Sequence, residues 1–198
     1  LIRHPRPLLE SGICYGRLDV DAEDPQPLAR RLRSLLPAGT PIVASPLQRA
    51  RRLAEVLHPR ASYDDRLMEI DFGEWEGRRW NEIDRHLLDA WAADMLHFVP
   101  PGGESAAMLQ ARVIDCLDSL RAGHARRLAL VTHAGAIRAA LGHCLRLAID
   151  EWSQLPLAFG SISLLEIDGQ ANLRRIGCGQ GTAQCAPATA ARLLYLNR

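Results

Sequence analysis

Short apolar runs bounded by turn residues recur along the chain, at residues 1–3, 41–44, 128–132 and 161–167, with a last one near 173–178. Their length and their Gly and Pro borders fit buried β-strands. Between them the apolar period lengthens to that of a helix. Leu28, Leu32, Leu35 and Leu36 share one face of a helix that Pro37-Ala38-Gly39 ends, and Leu47, Ala50, Ala54 and Leu57 share the face of a second. Residues 80–98 and 105–120 read as longer helices, separated by the breaker VPPGGES (99–105). Residues 136–147 are apolar nearly all round, which predicts a helix buried on every side.

Strands alternating with helices predict an α/β fold: a three-layer sandwich whose mostly parallel central sheet carries helices on both faces. No repeat, linker or low-complexity stretch divides the 198 residues, so a single domain over 1–198 is expected. The chain starts inside its first strand, and a few native residues are expected before Leu1.

Charge and composition narrow the partners. A formal net charge of +1 with 47% hydrophobic residues signals neither a nucleic-acid footprint nor disorder. No apolar run approaches membrane-spanning length, and no signal-peptide pattern is present. All 24 basic residues are arginine, so an anion site here is built from guanidinium forks and no lysine Schiff base is available. The five cysteines, Cys14, Cys116, Cys144, Cys178 and Cys185, are odd in number and lack C-x-x-C spacing, which favours reduced thiols in a cytoplasm. The seven histidines include no H-E-x-x-H, and the expectation is a protein with no metal and no other cofactor.

In an open α/β sheet, ligands sit at the carboxyl ends of the strands. Three predicted strands end there in polar groups: Arg3-His4, Ser45 and Thr132-His133. In IVASPLQRARRL, Ser45 reads as an N-cap and Pro46 as the first helical residue. Arg49 then falls near a helix N-terminus, where the dipole disfavours a cation unless an anion binds beside it. Alone it is as readily a solvated residue, like its neighbours Arg51 and Arg52. In RLMEIDFGEWEG, Met68, Ile70 and Phe72 alternate with Glu69 and Asp71, carboxylates that by themselves read as surface charge. His4 and His133 taken singly read as structural histidines. Two of them at the mouths of neighbouring strands, one preceded by arginine, point to a site.

As an ordered set, the strand-end Arg3-His4, S-x-L-x-R-A (45–50), the Glu69 segment with FGEWEG, PGGES and VTHAG resemble the histidine phosphatase superfamily, which includes the phosphoglycerate mutases. The resemblance covers residues 1–140. It implies a phosphomonoester hydrolase in which His4 becomes a phosphohistidine, Arg3 and Arg49 clamp the phosphoryl oxygens and His133 adds a donor. Glu69 would serve as general acid and then base. Within the superfamily, RHPRPLLESGICYGRLDV is most similar to the α-ribazole phosphatases of cobalamin assembly, with a phosphoglycerate mutase or a broad-specificity sugar or nucleotide phosphatase as the alternatives; a non-catalytic phospho-ligand binding protein is disfavoured, because His4 and Glu69 are both present. Arg17 in YGRLD and Glu104 in PGGES lie in segments that line the site in relatives and are candidate substrate-binding residues; otherwise Arg17 would pair with Asp19 and Glu104 would only start a helix. The chain departs from the family at Pro5, where glycine is commonest, and at Leu53, where threonine is customary. The expected partner is a small phosphate ester, with neither nucleic acid nor membrane; the oligomeric state stays open, a homodimer being one arrangement. A dinucleotide site at GCGQG (177–181) is disfavoured, because the G-x-G-x-x-G spacing is missing.

Overall fold

The computed structural model describes residues 1–123, 126–167 and 191–196. The predicted strand at 173–178, the glycine-rich 177–181, Cys178 and Cys185 lie outside the described residues. Four parallel strands form the central sheet in the order β1-β4-β2-β3, where β1 is Ile2–Arg3, β2 Ile42–Ala44, β3 Ser62–Tyr63 and β4 Ala129–Thr132. Alternation along β2 and β4 sets the layers. Ile42, Ala44, Ala129 and Val131 pack with Ala29, Leu32, Ala50 and Leu53 of α1 (Pro25–Arg33) and α2 (Gln48–Leu57). Val43 and Leu130 face the other way, onto Leu109, Val113 and Cys116 of α4 (Ala106–Ala122) and Ala136, Ala139 and Ala140 of α5 (Ala134–Leu145). The fold is therefore the three-layer α/β arrangement, and Leu53, where the family carries threonine, is a fully buried core residue.

The fourth apolar run divides in two. Residues 161–163 run antiparallel to β1, with Arg3 N–H donating to Ser161 O at 3.0 Å and Ser163 N–H to Leu1 O at 2.8 Å. Beyond them β5 (Leu164–Ile167) leaves to pair antiparallel with β6 (Ala191–Tyr195).

Two helices start elsewhere than the sequence reading has them. The helix expected over 80–98 is a 3₁₀ turn, Trp80–Glu82, then α3, Arg85–Ala93. The break falls at extended Ile83, after which the Asp84 side chain accepts the N–H of His86 and starts a new helix. Helix α2 begins at Gln48, so Ser45 is not its N-cap; its hydroxyl accepts the Leu47 N–H at 3.3 Å ahead of the helix. The apolar alternation over 68–72 lies in no strand. A short helix α6 (Ile149–Trp152) follows α5, and no described helix is long and apolar enough to cross a membrane.

Candidate active site

Sheet order brings three strand ends together. Register pairs Arg3 with Thr132 across β1 and β4, so His4 and His133, each one residue past its strand, become neighbours. Their ring centroids are 4.9 Å apart, and both side chains are buried. Ser45 leaves the adjacent β2, and its Oγ lies 2.8 Å from His133 Nε2.

The two imidazoles have different hydrogen bonds. His4 Nδ1 lies 2.6 Å from Pro5 O, which can only accept, so Nδ1 carries the proton and Nε2 keeps its lone pair. The residue that departs from the family glycine thus fixes the tautomer through its carbonyl. Burial, then the Arg49 charge, pulls the His4 pKa down to about 3 from its ordinary 6.5. His133 is held well below the usual range by burial and then by His4 and Arg49. Its Nδ1 is buried without a protein partner.

Arginines crowd the same place. Arg49 is fully buried, donating to Leu18 O at 2.8 Å and to Gly16 O. Glu76 fixes that loop from the other side by accepting the N–H groups of Arg17 at 2.7 Å and of Leu18. Arg3 donates to Leu157 O and places its guanidinium 3.8 Å from the centre of the Phe159 ring. The Nε atoms of Arg3, Arg17 and Arg49 are buried with no protein acceptor. Burial lowers the pKa of Arg3, Arg49 and Arg138, and the carboxylate of Glu69 opposes it in each case. Guanidinium groups remain charged even so. Desolvated cations with spare donors, set around two neutral imidazoles, favour a bound anion.

Glu69 sits at the start of α5. Its Oε2 accepts the Gly135 N–H at 3.1 Å, and a Cβ at position 135 would stand 2.2 Å from Oε1. The glycine of VTHAG is therefore space for this carboxyl group. Arg17 does not pair with Asp19; it lies 3.5 Å from both Asp71 and Glu104. Glu104 is buried, accepting the Asp71 N–H at 3.1 Å and two donors of Arg112. Arg51 and Arg52 pair at the surface with Glu55 and Asp21.

The structure thus gathers His4, His133, Arg3, Arg49 and Glu69 and holds Arg17 and Glu104 beside them through Asp71. Sequence reasoning missed Glu76, Arg112 and Arg138. Arg112 left a signal: it falls in the same helical stripe as Leu109, Val113 and Cys116, where a cation needs buried partners. Among the described residues, no group of three or more His, Cys, Asp or Glu side chains is placed to hold a metal ion.

This constellation has a counterpart in known proteins. The family model of the histidine phosphatase superfamily (branch 1) matches residues 1–177. The chain belongs to that superfamily. A glucosyl-3-phosphoglycerate phosphatase of Mycolicibacterium vanbaalenii is 30% identical over 193 residues, covering 85% of this chain and 83% of its own. A Hydrogenobacter thermophilus protein with the provisional name phosphoserine phosphatase 2 is 30% identical over 150 residues, 70% of this chain and 74% of its own. The solved structure of mycobacterial glucosyl-3-phosphoglycerate phosphatase with inorganic phosphate superposes with a TM-score of 0.77 at 25% identity, covering 100% of this chain and 95% of the other. The chain is a phosphatase of the histidine phosphatase superfamily.

Proposed function

We propose that this phosphatase transfers the phosphoryl group of a small monoester to His4 Nε2 and then to water. The observation that carries the reading is the His4 tautomer: a neutral imidazole with Nδ1–H held by Pro5 O and Nε2 unprotonated among arginines. In the first step the Nε2 lone pair attacks phosphorus, and the bond from phosphorus to the ester oxygen breaks. Arg3 and Arg49 neutralise the nonbridging oxygens. With the Ser45 hydroxyl donating to Nε2 of His133, that ring presents Nδ1–H to the same oxygens. Glu69 gives its proton to the departing alkoxide. In the second step the Glu69 carboxylate takes a proton from water as water attacks phosphorus. The N–P bond then breaks and its electron pair returns to Nε2.

For the ester itself, the names of the relatives describe phosphates on the terminal carbon of a three-carbon acid. Arg6, 5.2 Å from the Phe159 ring that Arg3 also covers, and Arg138 beside Glu69 would meet a carboxylate on such a leaving group. The reading is therefore a carboxylate-bearing phosphomonoester. α-Ribazole 5′-phosphate is the second reading; it rests on the opening segment alone and draws nothing from these relatives. Comparing kcat/KM over phosphoserine, glucosyl-3-phosphoglycerate, α-ribazole 5′-phosphate and 3-phosphoglycerate tests the choice. Preference for the first two is expected, with release of inorganic phosphate. Highest turnover on α-ribazole 5′-phosphate would reverse the order, and formation of 2-phosphoglycerate would make the chain a mutase.

A further inference from the structure

Glu69 lies on a stretch, residues 68–72, that belongs to no helix or strand, so its backbone groups need partners elsewhere. Arg112, in the middle of α4, supplies them. Its Nη1 donates to Arg66 O at 2.8 Å and Met68 O at 2.7 Å, and its Nη2 to Glu69 O at 2.8 Å. Nε donates to Glu104 Oε2 at 3.1 Å, and Nη2 also reaches Glu104 Oε1. A guanidinium has five N–H donors in a rigid fork, and here all five have acceptors. None is left for a substrate. Glu104 completes the frame by accepting the Asp71 N–H, so the chain is fixed on both sides of Glu69. The pair is close to fully enclosed, with side-chain exposures of 16% for Arg112 and 8% for Glu104.

We propose that Arg112, locked by Glu104, is the positioning residue that sets the Glu69 carboxyl group against Gly135 and the leaving oxygen. Glu104 in turn places Arg17, whose guanidinium it shares with Asp71. The proposal rests on the reading of Glu69 as general acid. It assigns Arg112 no contact with substrate, and it gives Glu104 a task other than binding substrate.

The experiment measures single-turnover phosphorylation of an alkyl and an aryl phosphate. A phenolate leaves with little help and an alkoxide does not, so an acid defect hurts the alkyl ester more. Glu69→Gln sets the reference contrast, within the roughly 10²–10⁴-fold that general acid assistance supplies. Arg112→Lys replaces five forked donors by three on one point. It should lose roughly tenfold more on the alkyl than on the aryl ester, as part of that same range. In Arg112→Lys/Glu69→Gln the extra contrast should vanish. If Arg112→Lys does not fold, Glu104→Gln takes its place; it keeps the side-chain shape, removes the charge and one of the two acceptor oxygens that lock Arg112, and should show the same direction with a smaller contrast. Equal losses on both esters in the folded variant, beside a contrast in Glu69→Gln, would overturn this proposal alone. Equal losses in Glu69→Gln would overturn the acid assignment and this proposal with it.

Discussion

His4 and His133 are neutral because they are buried among cations, and that neutrality has a thermodynamic consequence. Their folded pKa values lie below the ordinary 6.5, so as pH falls below about 6.5 the unfolded chain binds more protons than the folded one, for His4 down to about 3. Stability from these two groups is complete above 6.5 and is lost as pH falls, by about 1.4 kcal/mol per pH unit for each proton taken up. Urea midpoints measured from pH 7.5 to 5.5 should therefore fall, and His4→Gln should flatten the slope. A wild-type midpoint unchanged over that range would contradict buried neutral imidazoles. At this scale the legible residues were those at strand ends, since a strand that stops on a polar group announces itself. Arg112 left only the mark of a cation in an apolar helical stripe; its task stayed hidden because three of its acceptors are backbone carbonyls more than forty residues away, which no spacing reveals.

Elements carry these residues to one place, and the apolar pattern foretold most of them. Strands β1, β2 and β4 and helices α1, α4 and α5 follow from apolar runs and from the 3.6-residue period. Strand β3 did not, because its two residues are exposed and carry no apolar signal. The helix over 80–98 was overdrawn because Trp80 and Trp91 keep the apolar density high across the break at Ile83. Those tryptophans instead stack on each other, 5.8 Å apart, in an aromatic cluster with Phe72 and Trp75. At the start of α5, Gly135 yields a test at element scale. Alanine there favours the helix by up to about 1 kcal/mol but places a methyl group where the Glu69 carboxyl sits. Gly135→Ala should keep its Tm and lose roughly tenfold or more in kcat, a share of what an acid supplies. Full activity would mean that Glu69 need not occupy that position.

For the whole molecule, the arginine-only composition and the sheet order meet in one feature. A chain of net charge +1 concentrates desolvated guanidinium groups at the carboxyl edge of its sheet. In the proposed mechanism these supply the charge that a metal ion supplies in other phosphoryl-transfer sites. Dialysis against EDTA should leave kcat unchanged; a loss restored by Mg²⁺ or Zn²⁺ would contradict the arginine clamp. The central claim is the covalent step, and trapping it is the most direct test. Rapid quench with a ³²P-labelled monoester should give protein-bound phosphate that is stable in base and labile in acid, carried by the peptide containing His4 and absent in His4→Ala. Label retained in His4→Ala, or turnover in the wild type with no bound label at any quench time, would contradict a phosphohistidine at the end of the first strand.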